Sequence, residues 1–241
     1  MDFSNSREYI SGSRQETMAR SGGTAAWTGM SKQTFMSRVL PYFGAGILIT
    51  ALGGHLSLRM ASFFFNWPVL IGLLLLNVAM YFVVIAKRFT PGLNVTLYYA
   101  YTFLNGLLLG PLLMAARIAG GNWLIIQALG ITALAFFSIT AWVRYSGRDL
   151  TGWAPFLFSG LMVIIVASIA NFFVGGAGLH LGISILSAFL FMGFIAYDMS
   201  NIMLKYRDEE FIMATIQLYL DFVNLFVALL RILISLAGRR D

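Results

Sequence analysis

The amino-acid sequence predicts an all-α integral membrane protein whose seven transmembrane helices form one bundle. Of its 241 residues, 59% are hydrophobic and 11% are charged, and the mean hydropathy is +0.81. Soluble domains are nearer half apolar and a quarter charged, so this chain lacks the polar side chains that cover a water-facing surface. Glycine and proline separate long apolar stretches, and segments of alternating polarity, typical of transmembrane β-strands, are not present. Helices are therefore the spanning structure that the sequence favours.

Seven stretches could cross a hydrocarbon core of about 30 Å, which takes about 20 residues of helix. Six of them are plainly apolar: 39–58, 67–86, 94–116, 123–143, 154–175 and 179–204. The seventh, 212–237, is the most polar, since it contains Gln217, Asp221, Asn224 and Arg231. Because these side chains would be costly against lipid, we expect the last helix to lie at the centre, wrapped by the other six.

The polar segment 1–33 precedes the predicted transmembrane domain, 34–241. It lacks the apolar core of a signal peptide, so we interpret it as a mobile cytoplasmic tail. Most lysines and arginines then fall in the loops on the cytoplasmic side, as the positive-inside rule requires. The basic residues at the very end fit this rule less well. They leave a re-entrant last segment as the alternative to a full seventh crossing.

Two acidic residues, Asp198 and Asp221, interrupt the last two apolar stretches. A carboxylate inside a membrane is costly and is a functional hypothesis by default. Asp198 precedes Lys205 by seven residues, and Asp221 follows Phe211 by ten, which places them about 10 Å and 15 Å deep at the rise of a helix. Since the two helices are consecutive and antiparallel, the carboxyl groups are expected to lie at similar depth and to form a pair.

A polar stripe runs along each of these two helices, because its members are spaced three, four or seven residues apart. Besides the two aspartates, the stripes contain Asn201, Gln217, Asn224 and Arg231. Facing stripes predict a hydrated or proton-linked seam. Two carboxylates at hydrogen-bonding distance do not readily both ionise, and they titrate in coupled steps. When both are ionised, Asp198 and Asp221 form a candidate site for a hard cation such as Ca²⁺. The alternative is that each aspartate is neutralised by a nearby side chain and only joins helices.

Other residues give weaker signals. Arg88 ends the second stretch and could pair with one aspartate, although a snorkelling arginine is the simpler interpretation of its spacing.

The chain has no cysteine, which excludes disulfides and thiol chemistry. It contains no serine-hydrolase elbow, zinc-protease or P-loop motif, so we predict neither an enzyme nor a resident cofactor. The basic residues do not cluster, which argues against nucleic acid as a partner.

Three segments carry a resemblance to a known family. LYLDFVNLFVALLRIL (218–233) resembles the closing signature of the Bax inhibitor-1, or transmembrane Bax inhibitor motif, family, and FIAYDMSNI (194–202) resembles its sixth-helix motif. GRDLTGW (147–153) is similar to bacterial inner-membrane members. The resemblance covers about 34–237 and implies seven helices with the last one central. This chain departs from the family at two places. Its sixth-helix motif contains Asp-Met-Ser where the family often has Asp-Thr-Gln. In the second apolar stretch it has Asn77 where family members frequently have an acidic residue.

The same resemblance implies a stress-related calcium leak that senses pH through an aspartate pair, matched here by Asp198 and Asp221. It also implies an arginine latch, matched by Arg88. We therefore expect a pH-sensitive calcium channel of the bacterial inner membrane, with lipid, Ca²⁺ and protons as its partners. Two alternatives stay open. One is a non-conducting protein that modulates other membrane proteins, such as a membrane protease or cell-death factors. The other is a proton-coupled transporter of small solutes.

Overall fold

The structure, a computed structural model, describes residues 29–238, and long helices account for most of them. Seven are long and apolar enough to cross a membrane, which confirms the predicted class. They are α1 (Lys32–Arg59), α2 (Trp67–Ala86), α3 (Leu93–Gly120), α4 (Asn122–Ser146), α5 (Ala154–Val174), α6 (Ala177–Leu204) and α7 (Phe211–Ala237). Short helical turns at Ala61–Phe64, Thr151–Trp153 and Asp208–Glu210 connect some of them.

Helix α1 begins earlier than its apolar stretch. Ser31 is the N-cap, and its Oγ accepts a hydrogen bond from the Thr34 amide at 3.1 Å, a favoured way to satisfy a free helical N–H. The helix then passes through a π-helical stretch, Phe35–Val39, before it continues as α-helix. The predicted start at residue 39 was therefore too late, because hydropathy measures the membrane crossing and not the polar turn before it.

The predicted mobile tail, 1–33, is only partly within the structure. Residues 1–28 lie outside the described residues. Within 29–33 the side chain of Met30 is fully buried, whereas Lys32 and Gln33 are exposed on the first turn of α1. The expectation that 1–33 forms a mobile cytoplasmic tail stays a prediction.

Small residues bring α1 and α3 into close backbone contact. A Cβ atom on Gly53 would overlap the carbonyl oxygen of Phe103, and one on Gly106 would overlap the carbonyl oxygen of Thr50. By contrast, a Cβ on Gly44 would meet no atom within 4 Å. In a membrane such close approach favours association of helices through packing.

Helix α7 lies at the centre of the bundle, as its polarity predicted. Its buried side chains face all directions, and α1, α3, α4 and α6 pack directly against it. Helix α2 packs on α3, and α5 packs on α6. Helix α5 is the most peripheral, and aromatic side chains such as Phe156 and Phe172 are 77% and 79% exposed. Apolar exposure of this kind suits a surface in contact with lipid.

Candidate functional site

The carboxyl groups of Asp198 on α6 and Asp221 on α7 lie within hydrogen-bonding contact of each other. Each residue is only 5% exposed. The side chain of Asn201, one turn further along α6, is close enough to interact with Asp198, whereas Oδ2 of Asp221 is buried with no partner among the described residues. Because neither carboxylate can donate, a hydrogen bond between the two requires a proton. The geometry therefore defines a pair that can hold one shared proton.

The position of the pair follows from the two helices that carry it. We call the end of the bundle where α6 ends and α7 begins the proximal end, and the opposite end the distal end. Asp198 lies six residues before Leu204, and Asp221 lies ten residues after Phe211, so the pair is about 9 to 15 Å from the proximal end. Ile195 and Leu218, one turn before each aspartate, are fully buried. The pair is thus set in an apolar part of the bundle.

Two tyrosines lie near the pair on its proximal side. Tyr81 of α2 and Tyr206, which follows α6, are both close enough to Asp198 to interact with its charge. The Tyr206 hydroxyl donates a hydrogen bond to Oε1 of Gln217. Gln217 of the predicted stripe therefore lies beside the pair, with its amide oxygen bonded to this tyrosine.

The remaining stripe residues are not gathered into one seam. Asn224 is partly buried on α7, whereas Arg231 is exposed further toward the distal end. Leu225 and Leu230, which are fully buried, lie between Asp221 and Arg231 along the helix. The structure therefore brings Asp198, Asn201 and Asp221 together and leaves Arg231 in a different environment.

Arg88 does not reach the pair in this structure. Its Nη1 atom donates a hydrogen bond to the carbonyl oxygen of Ile85 at 3.0 Å, and its guanidinium lies 4.6 Å from the centre of the Phe89 ring. Within residues 29–238 the structure shows no ion pair between Arg88 and an aspartate. The arginine thus caps the C-terminal end of α2.

Residues 29–31, which we call the N-terminal strap, cover the end of α6. The Gly29 amide donates to the carbonyl of Met203 at 2.7 Å, and the Met30 amide donates to the carbonyl of Ile202 at 3.2 Å. The last carbonyls of a helix have no partner within the helix, and the strap supplies donors for two of them. A Cβ on Gly29 would lie 2.8 Å from the Ile202 carbonyl oxygen, so glycine allows this close approach.

The strap is also tied to the loop between α6 and α7. The Ser31 amide donates to Oδ1 of Asp208 at 2.6 Å, and the Ser31 hydroxyl donates to Oδ2 at 2.8 Å. Sequence reasoning missed this contact. The N-cap preference of serine could have indicated Ser31, but no local pattern links it to an aspartate 177 positions away.

The loop between α4 and α5 covers the same region from another side. The Leu150 amide donates to the hydroxyl of Ser200 at 3.0 Å, and that hydroxyl donates to the carbonyl of Arg148 at 3.4 Å. Asp149 in this loop accepts hydrogen bonds from Thr151, which hold the pKa of its carboxyl below the usual range. Since Ser200 is two residues from Asp198, the strap and this loop together close the proximal end of α6 near the pair.

The pair offers few ligands for a metal ion. Across residues 29–238 no group of three or more histidine, aspartate or glutamate side chains could hold a metal. Two carboxylates and the Asn201 amide provide fewer oxygens than the six to eight that Ca²⁺ takes. The arrangement suits a proton, or a cation in passage that keeps part of its hydration shell.

Fold and site together define a polytopic helical membrane protein with an ionisable pair inside the bundle. A family model described as inhibitor of apoptosis-promoting Bax1 matches residues 32–238, and the chain belongs to this Bax inhibitor-1 family. An uncharacterized protein of Campylobacter jejuni is 34% identical over 208 residues, which cover 85% of this chain and 90% of that protein. Protein lifeguard 4 of Mus musculus is 30% identical over 206 residues, covering 84% and 85%.

A further relative has a more specific name. Modulator of FtsH protease YccA of Escherichia coli is 36% identical over 135 residues, which cover 56% of this chain and 61% of that protein. The corresponding protein of a second Escherichia coli strain, which matches with the same identity and coverage, is named inner membrane protein YccA. Together with the seven apolar helices, these names support an integral inner membrane protein.

Proposed function

We propose that this protein is a pH-sensitive cation leak channel with Ca²⁺ as the permeant ion and the Asp198–Asp221 pair as its gate. The observation that supports the proposal is the direct contact of two buried carboxyl groups on adjacent helices. With one shared proton the pair holds α6 and α7 together. When that proton is lost, two like charges in contact repel each other, and their oxygens become a transient site for a hard cation.

The N-terminal strap and the α4–α5 loop, which both contact the proximal end of α6, form a second part of this gate. The structure shows both the N-terminal strap and the α4–α5 loop bonded to α6, as expected for a closed conformation. Conduction would require these contacts to loosen as α6 and α7 separate. Arg88 would act as a latch only in a conformation in which its guanidinium leaves the Ile85 carbonyl. We further propose that the proximal end faces the cytoplasm.

Calcium flux into proteoliposomes tests the proposal. Wild-type protein is expected to carry Ca²⁺ above the level of empty liposomes, with flux that rises as pH rises because the shared proton is lost. Asp198→Asn and Asp221→Asn each remove one member of the pair, so both variants should lose the wild-type pH profile. Glu209→Gln changes an exposed carboxyl that forms none of the contacts covering α6 within the described residues, so it is the matched control, expected to keep that profile. Wild-type flux no higher than that of empty liposomes would contradict the proposal.

A second candidate is a modulator of a membrane protease, and it is favoured by the relative named modulator of FtsH protease. In that role the strap and the proximal loops would contact the partner, and no ion would pass. Purification with a tagged membrane protease distinguishes the two functions. Retention of the protease by a protein that carries no flux would favour modulation, whereas flux without retention would favour the channel.

A further inference from the structure

A polar cavity lies at the distal end of the bundle, away from the aspartate pair. It has a volume of about 620 Å³ and lies among α3, α5, α6 and α7. Its polar lining consists of Arg231, His180, Asn171, Ser168 and Ser235, and the rest of its lining is apolar. None of the described residues that line it is acidic. Arg231 and His180 are near enough to interact electrostatically, so the cavity brings a guanidinium and an imidazole together in a membrane-spanning part of the chain.

Two polar groups of this cavity have no partner among the residues that the structure describes. Within the described residues, the structure shows no hydrogen bond or ion pair for the Arg231 guanidinium, which has five N–H donors. Oδ1 of Asn171 is buried without a partner. Unpaired polar groups are costly in a membrane. A ligand that carries a negative charge would satisfy the arginine.

Depth in the membrane indicates where such a ligand comes from. Helix α7 has 27 residues and is therefore about 40 Å long, close to the thickness of a bilayer with its headgroups, about 40–45 Å. Arg231 lies six residues before the end of α7 and His180 three residues after the start of α6, about 9 Å and 5 Å from the distal end. This level is the boundary between headgroups and hydrocarbon, where the phosphate of a phospholipid lies.

We infer that the Arg231–His180 cavity binds a phosphate group, and that a phospholipid headgroup is its source. The guanidinium matches phosphate through two parallel N–H donors, and His180 adds a further donor. The positive end of the α6 dipole, at the helix start near His180, favours the same charge. Apolar walls such as Leu112 and Phe172 suit the glycerol and the first part of an acyl chain. The inference is independent of ion conduction.

Native mass spectrometry of the full chain in detergent tests this site. Wild-type protein is titrated with phosphatidylglycerol and, as a matched probe without phosphate, with diacylglycerol of the same chains. We expect Arg231→Gln to weaken retention of phosphatidylglycerol about tenfold or more, because a charge-assisted hydrogen bond is lost. His180→Gln should weaken it less. Arg117→Gln, which removes an exposed arginine at the same end of the bundle, should leave it unchanged.

A second variant and a competition with inorganic phosphate complete the test. If Arg231→Gln does not fold, Ser168→Phe adds bulk to an exposed position on the cavity wall without removing charge, and it should also reduce retention. Inorganic phosphate that displaces the lipid and raises the melting temperature of wild type, but not of Arg231→Gln, would make free phosphate the ligand. Equal retention of phosphatidylglycerol and diacylglycerol, or retention unaffected by Arg231→Gln and Ser168→Phe with no effect of phosphate, would overturn the inference.

Discussion

Thr50 connects three helices through one hydroxyl group. Its Oγ1 atom lies 2.9 Å from the carbonyl oxygen of Gly46, 3.0 Å from that of Thr102, and 2.7 Å from the hydroxyl of Tyr219. Thr50 has one proton to donate and both carbonyls can only accept, so the Tyr219 hydroxyl donates to Thr50. Tyr219 is fully buried on the central helix, and this bond links α7 to α1 and, through Thr50, to α3.

Substitutions at Thr50 and Tyr219 should therefore lower the free energy of unfolding by different amounts. Thr50→Val leaves the Tyr219 hydroxyl buried without a partner, and we expect it to lower the free energy of unfolding by about 1–3 kcal/mol. Tyr219→Phe leaves Thr50 bonded to a carbonyl and should cost about 1 kcal/mol or less. The double variant should be more stable than Thr50→Val alone, because no orphan hydroxyl remains. Unfolding in detergent measures all three, and additive losses would contradict this assignment.

Some residues of the site could be predicted from the sequence and others could not. Asp198 and Asp221 were indicated because a carboxylate in an apolar stretch is rare and costly, and their depth followed from counting residues. Thr50 gave no such signal, since a threonine in an apolar helix commonly bonds the carbonyl four residues before it, as Thr50 also does. The side-chain direction of Arg88, toward Ile85, depends on rotamers that spacing does not determine.

At the level of helices, the α1–α3 interface depends on glycines that cannot accept a methyl group. A Cβ on Gly53 or Gly106 would overlap backbone carbonyl oxygens of the opposite helix, which can move only if the helices separate. The sequence alone does not distinguish Gly53 from Gly44, which lies on the same helix and faces open space. That difference depends on which face of α1 meets α3.

Alanine substitutions provide a matched test of this interface. We expect Gly106→Ala and Gly53→Ala each to lower the free energy of unfolding by about 1–3 kcal/mol, the usual cost of overpacking. Gly44→Ala should raise stability by about 0.5–1 kcal/mol, because alanine is the better helix former and nothing obstructs its Cβ. The same unfolding measurement compares the three variants. Equal effects at Gly44 and Gly106 would show that the close approach of α1 and α3 contributes little.

The ends of the helices were predicted less well than their crossings. The span 67–86 coincides with α2, whereas α1 and α3 extend beyond the apolar stretches that indicated them. Helix α3 continues four residues past the predicted end at 116, through Arg117 to Gly120. Polar and charged residues continue a helix into the headgroup region as readily as apolar ones, so hydropathy locates the bilayer and not the helix end.

For the whole molecule, one consequence follows from placing the most polar helix at the centre. The other six helices present apolar side chains to lipid. Helix α7 is instead surrounded by neighbouring helices, so Asp221 can lie on it with little contact with hydrocarbon. The strap and the α4–α5 loop then close the proximal end. Central placement was predictable from polarity alone. The two covers were not, because they depend on contacts between distant parts of the chain.

The proposed gate requires Asp198 and Asp221 to share one proton. Infrared spectroscopy of the protein with ¹³C-labelled aspartate measures this directly, because a protonated carboxyl absorbs apart from a carboxylate and the isotope identifies the aspartates. Because Asp149 and Asp208 also carry the label, the spectrum of the double variant Asp198→Asn/Asp221→Asn is subtracted. In the wild-type difference spectrum the protonated band should fall in two steps as pH rises, since coupled groups release their protons one after the other. Asp198→Asn and Asp221→Asn should each reduce it to one step. Two steps that persist unchanged in both variants would contradict the account.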